Sequence, residues 1–257
     1  LPLDDGGFYA TGYMWNDWSG GQRQTDAVTV KFDSSGELLW LRSIGYFAYD
    51  YGRSICDASD DGVIISGCIR DLGPGNSDGL LVKYSSAGVL QWAYAIGSPT
   101  WEEFTTIFPL DDGGYILGGA NGLLLKVDQN FNENWANQIN TLDGWVAILS
   151  SDETPEGDIT WTGGVLKDNS TESLLAKTDS NGLITDCPYS GPYPELISKI
   201  DIMNTAEIAS PALPIENHNF QVSDITDTLV VPMPVPTLHQ LCLSGSMPTP
   251  TPVPPTP

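Results

Sequence analysis

Histidine and basic residues are scarce in this chain. Two histidines and ten Lys+Arg stand among 257 residues against 33 Asp+Glu, a formal net charge of −23 at pH 7. A surface so poor in cations excludes nucleic-acid binding as a primary role, because phosphate contacts need clustered Lys and Arg. It argues equally against docking on anionic membranes. Long apolar runs are missing as well: stretches such as Leu38–Leu41 and Gly122–Leu125 fall far short of the ~20 residues a membrane-spanning helix requires. The four cysteines contain no CxxC spacing and lie far in sequence from His218 and His239, so no zinc pattern is written into them. Nucleophilic triads need a histidine, and residues 1–187 contain none. HExxH, GxxxxGK[ST] and a strand-to-helix GxGxxG are also missing. The chain begins at Leu1 without a basic–apolar–small leader, as a mature or truncated chain would.

What is abundant is turn and core material. Gly (27) and Pro (19) run high while charged residues make up 17%, which suits an all-β, turn-rich protein. Eight Trp, ten Tyr and seven Phe are enough to seed a packed core and exclude disorder throughout.

Laid on itself, the chain repeats. Leu3-Asp4-Asp5-Gly6-Gly7-Phe8-Tyr9-Ala10-Thr11-Gly12 aligns without a gap on Leu110-Asp111-Asp112-Gly113-Gly114-Tyr115-Ile116-Leu117-Gly118-Gly119. Ser59–Gly67 is a second-best copy and Glu156–Gly163 a degenerate fourth. An apolar strand ending in lysine follows each, at Lys31, Lys83, Lys126 and Lys177, and the first three lysines are followed nine residues later by Trp40, Trp92 and Trp135. A period near fifty built from strand-type pieces indicates a propeller or β-solenoid rather than a helical array. In the second unit the strands read as Arg53–Ser59, Val63–Cys68, Gly79–Tyr84 and Val89–Ile96, joined by Asp-Gly and Gly-Gly turns that supply positive φ. Four antiparallel strands per unit make one propeller blade. The expected units lie near 1–52, 53–102, 103–144 and 145–187.

These strings resemble the bacterial and archaeal extracellular β-propeller repeat of the SBBP type. The resemblance rests on Asp-Gly-Gly-Tyr-Ile-x-x-Gly at 112–119, on Leu-x-Lys-x-Asp-x-x-Gly in the copies at 30–36 and 82–88, and on the three tryptophans; it covers roughly residues 1–187. It implies an all-β propeller that is secreted or surface-exposed, and it implies no activity. The fourth unit departs from the pattern, with Asp186 where the Trp would fall.

Before Asp4 only Leu1-Pro2-Leu3 remains of the strand that corresponds to Thr105–Leu110, so the first blade is expected to lack most of one strand. Either further repeats precede it, or a strand from residues 188–257 or from a neighbouring chain completes it. A neighbour's strand would build a head-to-tail homo-oligomer or filament, and an unpaired edge is costly to leave bare. Residues 188–246 read as a Pro-punctuated C-terminal β segment or strap. Residues 247–257 read as a Pro/Thr-rich spacer of extended type. Oxidising-compartment usage of the cysteines predicts a Cys187–Cys242 disulfide stapling the strap, and more weakly Cys56–Cys68 across the hairpin at Asp60-Asp61-Gly62, where a one-residue register choice decides the face. Glycosylation candidates are Asn169, in the one N-x-S/T sequon, and Thr249, Thr251 and Thr256.

No catalytic residues are expected. A glycosidase needs only two carboxylates, but the acids at Asp4-Asp5, Asp60-Asp61 and Asp111-Asp112 are accounted for by turn chemistry. No cofactor is required; loop acids, including those near Asn76-Ser77-Asp78-Gly79 and Asn16-Asp17, are at most a weak Ca²⁺ site. The lysines are expected to pair with Asp33, Asp128 and Asp179, and Trp40, Trp92 and Trp135 to sit between blades. Trp15, Trp18 and Trp101, in loop-like surroundings, are candidates for stacking on glycans. The sequence thus predicts a non-catalytic extracellular structural or interaction protein that self-associates. A lectin-like propeller is the second reading, and a polysaccharide-active enzyme a more distant third.

Overall fold

In the computed structural model the described residues are 1–17, 23–46, 48–141, 144–168, 170–194 and 197–203. They form an all-β structure with no helix among them. Four antiparallel sheets follow one another along the chain. The first holds β1 (Phe8–Asp17), β2 (Arg23–Phe32) and β3 (Leu38–Ile44). The second holds β4 (Tyr51–Asp57), β5 (Val63–Arg70), β6 (Ser77–Tyr84) and β7 (Leu90–Gly97). The third holds β8 (Phe104–Pro109), β9 (Tyr115–Gly119), β10 (Leu123–Val127) and β11 (Glu133–Ile139). The fourth holds β12 (Trp145–Glu153), β13 (Ile159–Lys167) and β14 (Ser170–Thr178). Two short strands, β15 (Ser190–Pro192) and β16 (Ser198–Asp201), add a fifth member to the outer edges of the third and second sheets.

Turn chemistry fixes each hairpin. The Asp5, Asp60 and Asp112 carboxylates accept the amides of Gly7, Gly62 and Gly114 two residues on, the Asx arrangement that favours a tight reversal. The residue between them has positive φ: Gly6, Asp61 and Gly113. A second turn follows each lysine strand. Asp33, Asp128 and Asp179 there accept amides two and four residues downstream, and the left-handed position is taken by Gly36, Gly88, Phe131 or Gly182. Phe131 bears the steric cost of φ 59° and is buried between Trp92 and Tyr115 at ring distances of 4.7 Å each.

Three apolar cores join the four sheets. One packs Tyr9, Ala27, Trp40 and Ile44 of the first sheet on Val63, Ile65, Leu80, Val82 and Tyr84 of the second. Another packs Cys56, Ile64, Leu81 and Ile96 on Phe104, Leu117, Leu123 and Leu125. The last packs Ile116, Leu124 and Ile139 on Ile148, Trp161 and Leu174. Strands β5, β6, β9 and β10 are buried on both faces, which explains why they read as unbroken apolar runs rather than alternating ones. Fully burying each Leu, Ile or Val contributes ~1.5–3 kcal/mol. No core among the described residues joins the fourth sheet to the first, so they form an open row and not a closed ring.

The expected Cys56–Cys68 bridge is corrected: both are free, buried thiols. On the paired strands Cys56 stands opposite Ile64 and Cys68 opposite Tyr51, and a bulge between Gly52 and Ser54 lies between the two positions. Neither cysteine faces the other. Cys187 is buried, and Cys242 lies outside the described residues.

Candidate functional site

Each lysine strand ends beside the hairpin turn of its own sheet. Lys83 pairs with Asp60 at 2.7 Å, Lys126 with Asp112 at 2.8 Å and Lys177 with Asp158 at 2.8 Å. The expected partners Asp33, Asp128 and Asp179 are therefore replaced, because those carboxylates are engaged by amides of their own turns. Lys83, Lys126 and Lys177 tie their strands to hairpins of the same sheet, whereas Lys31 donates to the Ser86 carbonyl of the second sheet at 3.4 Å. The ion pairs hold the Asp60 and Asp112 carboxyls below the usual carboxylate range.

The tryptophans build the joints between sheets. Trp40 lies against Gly88 in the turn of the second sheet and donates its indole N–H to the Ser86 carbonyl at 3.1 Å. Trp135 repeats this on Gly182, donating to the Ser180 carbonyl at 3.3 Å. Trp92 meets Phe131 at the equivalent place.

The opposite end of the strands holds a feature the sequence reading passed over. Where the chain leaves one sheet and enters the next, two acids close on one glycine. At the first junction the ideal Cβ position of Gly45 lies 2.3 Å from Asp26 Oδ1 and 2.9 Å from Asp50 Oδ2. At the second, that of Gly97 lies 2.3 Å from Asp78 Oδ1 and 2.7 Å from Glu102 Oε2. No other residue type fits at either glycine without displacing a carboxylate. Asp50, Asp78 and Glu102 are fully buried. Asp50 accepts the amides of Tyr46 (2.6 Å) and Arg70 (2.8 Å). Glu102 accepts the Ser98 amide at 2.9 Å and the hydroxyls of Ser98, Thr100 and Tyr193. Burial, reinforced by Asp26, pushes the Asp50 carboxyl up to about 7; burial and then Glu102 push Asp78 up to about 6. The third junction places Asn121 and Trp145 there instead, joined by an indole N–H to amide oxygen hydrogen bond. A recognisable signal did exist. Each acid pair combines an Asp five residues before the phased lysine with an acid ten residues after the phased tryptophan, the glycine falling midway.

Aromatic side chains crowd the same end. A parallel bridge sets Tyr49 beside Thr25, and another sets Trp101 beside Ser77. Trp15, 56% exposed, meets Tyr49 edge-on at 6.2 Å. Trp101 stacks on Trp145 at 5.9 Å. Tyr13, exposed, contacts Tyr51 edge-on at 5.0 Å, and the Arg53 guanidinium covers the Tyr51 ring. Two of the three glycan-stacking candidates, Trp15 and Trp101, thus stand at corresponding junctions of neighbouring sheets. Trp18, Asn169, Thr249, Thr251 and Thr256 lie outside the described residues. Among the described residues no group of three or more His, Cys, Asp or Glu side chains is arranged to hold a metal ion, and no helix is long and apolar enough to cross a membrane.

No family model matches the chain. A curated protein described as Regulatory protein FlaEY, from Caulobacter vibrioides, is 28% identical over 111 residues, covering 38% of this chain. The chain spans 12% of that protein's length. A crystal structure of a protein of unknown function from Bacteroides caccae aligns with a TM-score of 0.40 and 14% identity over 71% of this chain and 65% of that one.

Proposed function

We propose that the chain is a non-catalytic, extracellular β-propeller module of the SBBP-type class, acting as a structural or interaction protein that assembles with a neighbouring chain through its first sheet. One observation carries this reading. Phe8, Val28, Val30 and Phe32 occupy the positions that in the second sheet are Val63, Leu80, Val82 and Tyr84, and in the third Tyr115, Leu123, Leu125 and Val127. Those eight side chains are at most 8% exposed because the preceding sheet covers them. In the first sheet Phe8 is 39% exposed and the other three are half-buried. The same sheet has three strands, and the outer edge of β1 carries an isolated bridge from Pro2 to Phe8. The exposed apolar face favours a partner that packs on it, and the outer edge of β1 favours one that adds a strand. In this reading Cys187–Cys242 staples the strap, and residues 247–257 form a glycosylated spacer.

Light scattering on a sizing column tests it. Self-association gives a mass above the 27.7 kDa of one chain, and Val30→Asp returns it to that value. A single-chain mass for the unsubstituted protein at high concentration would overturn the reading.

Glycan binding is the second reading, favoured by the Trp15–Tyr49 and Trp101–Trp145 pairs at one end of the strands. It predicts saturable quenching of tryptophan fluorescence by oligosaccharides, lost in Trp15→Ala. Hydrolysis at the buried acid pairs is disfavoured, since Asp50, Asp78 and Glu102 are closed to solvent.

A further inference from the structure

We propose that Asp78 and Glu102 form a proton-linked clasp that holds the second and third sheets together in acidic medium and loosens as the proton is lost, with Asp26 and Asp50 as its counterpart one junction earlier. The argument rests on geometry at Gly97. Asp78 Oδ1 and Glu102 Oε2 converge on the space a side chain at Gly97 would occupy, 2.3 and 2.7 Å from its Cβ position, from β6 and from the segment entering β8, and both side chains are wholly buried. Two carboxylates so close and so dry cannot both stay ionised without a strong mutual penalty. A single proton held between them converts the repulsion into a charge-assisted O–H···O⁻ hydrogen bond.

The surroundings say which carboxyl holds the proton. Glu102 accepts four hydrogen bonds, from the Ser98 amide and from the hydroxyls of Ser98, Thr100 and Tyr193, which leaves its oxygens well supplied with donors. Asp78 receives one amide, that of Gly75 at 3.1 Å, and its pKa is raised by burial and by Glu102. Asp78 is therefore the proton carrier. The charged group nearest in sequence, Glu103, is occupied by Arg53, so no cation from that side neutralises the pair. Around Asp50 the facing groups are Asp26, Arg70 and the thiol of Cys68.

Tyr193 extends the clasp beyond the two sheets. Its backbone amide donates to the Ala136 carbonyl directly after β15, and its hydroxyl to Glu102. Loss of the proton thus acts on the strap as well as on the junction. The third junction is a built-in comparison: Asn121 and Trp145 stand in the same place, neutral at every pH between 4 and 9.

Hydrogen exchange of the full chain, followed by mass spectrometry at pH 5 and pH 8 and corrected for intrinsic rates, tests this. Residues 97–104 and 190–193 are expected to lose protection at pH 8. The rise from 3.8 to about 6 at Asp78 sets a ceiling of about a hundredfold. Residues 120–122 and 144–147 are expected to stay unchanged. Asp78→Asn, a neutral side chain of the same shape, removes the difference at 97–104 while leaving the Asp50 junction responsive; Glu102→Gln, which leaves Asp78 buried but takes away the like charge beside it, shrinks that difference without abolishing it. Equal changes at all three junctions, or an undiminished response in either variant, would overturn the clasp.

Discussion

The indole of Trp40 is seated on the turn glycine of the next sheet, Gly88, with its ring atoms starting 2.8 Å from where a Cβ would be and its N–H on the Ser86 carbonyl. The contact spans 48 residues of chain and recurs at Trp135 and Gly182. It is the repeated joint of the array, and it separates the tryptophans that hold the fold from those at its surface.

Trp40→Ala is accordingly expected to cost ~3–5 kcal/mol, the range for removing a buried aromatic, read as a lower urea midpoint with unchanged slope. Trp15→Ala, at 56% exposure, should stay within ~0.5 kcal/mol of the parent. Equal losses at the two sites would contradict the assignment.

The Asp50 carboxyl has a folded pKa near 7 against 3.8 for an ordinary aspartate. A raised pKa contributes stability that is fully present below about 4 and is lost as pH climbs to about 7. Ion-paired Asp60 and Asp112 act in the opposite sense, their contribution fading as pH falls below about 4. The melting temperature should therefore peak in mildly acidic buffer. Asp50→Asn should flatten the decline between pH 5 and 7 while keeping the fall below pH 4.

Burial holds the Cys56 and Cys68 thiols up at about 12, and the thiolate is the reactive form. Neither should react with a thiol reagent at pH 8 until the chain unfolds, whereupon both react. Rapid native-state labelling would place one of them at the surface.

Gly45→Ala is expected to be among the most damaging single changes, since its Cβ would fall 2.3 Å from the Asp26 carboxylate. Gly12→Ala, with nothing within 4 Å of the added atom, should be neutral to slightly stabilising, by up to ~1 kcal/mol. Thermal melts of the two variants distinguish these outcomes.

Strand positions were legible because the repeat writes them more than once. The second unit's expected strands, from Arg53, Val63, Gly79 and Val89, fall within two residues of β4 to β7. Side-chain partners were harder, for local reasons. Lys83, Lys126 and Lys177 face the hairpins of their own sheets, Lys83 being registered against Ile64, four residues from Asp60; linear proximity pointed instead to acids already engaged in turns. The cysteine pairing failed on register and a bulge. The acid pairs went unread because Asp26 meets Asp50, and Asp78 meets Glu102, across an interval of 24 residues that crosses from one sheet into the next. A search for turn acids does not look there.

The strap has a temporal consequence. It runs backward, first along β11 of the third sheet and then along β7 of the second, and delivers Ile202 and Met203 into the core that also holds Leu1 and Leu3. During synthesis Leu1 and Leu3 must wait for residues some two hundred positions further on before that core is complete. Closing so long a loop is slow, and until it happens the outer edges of β7 and β11 stand open to wrong partners. Docking of the strap is thus also the step that ends the exposure of those two edges to aggregation.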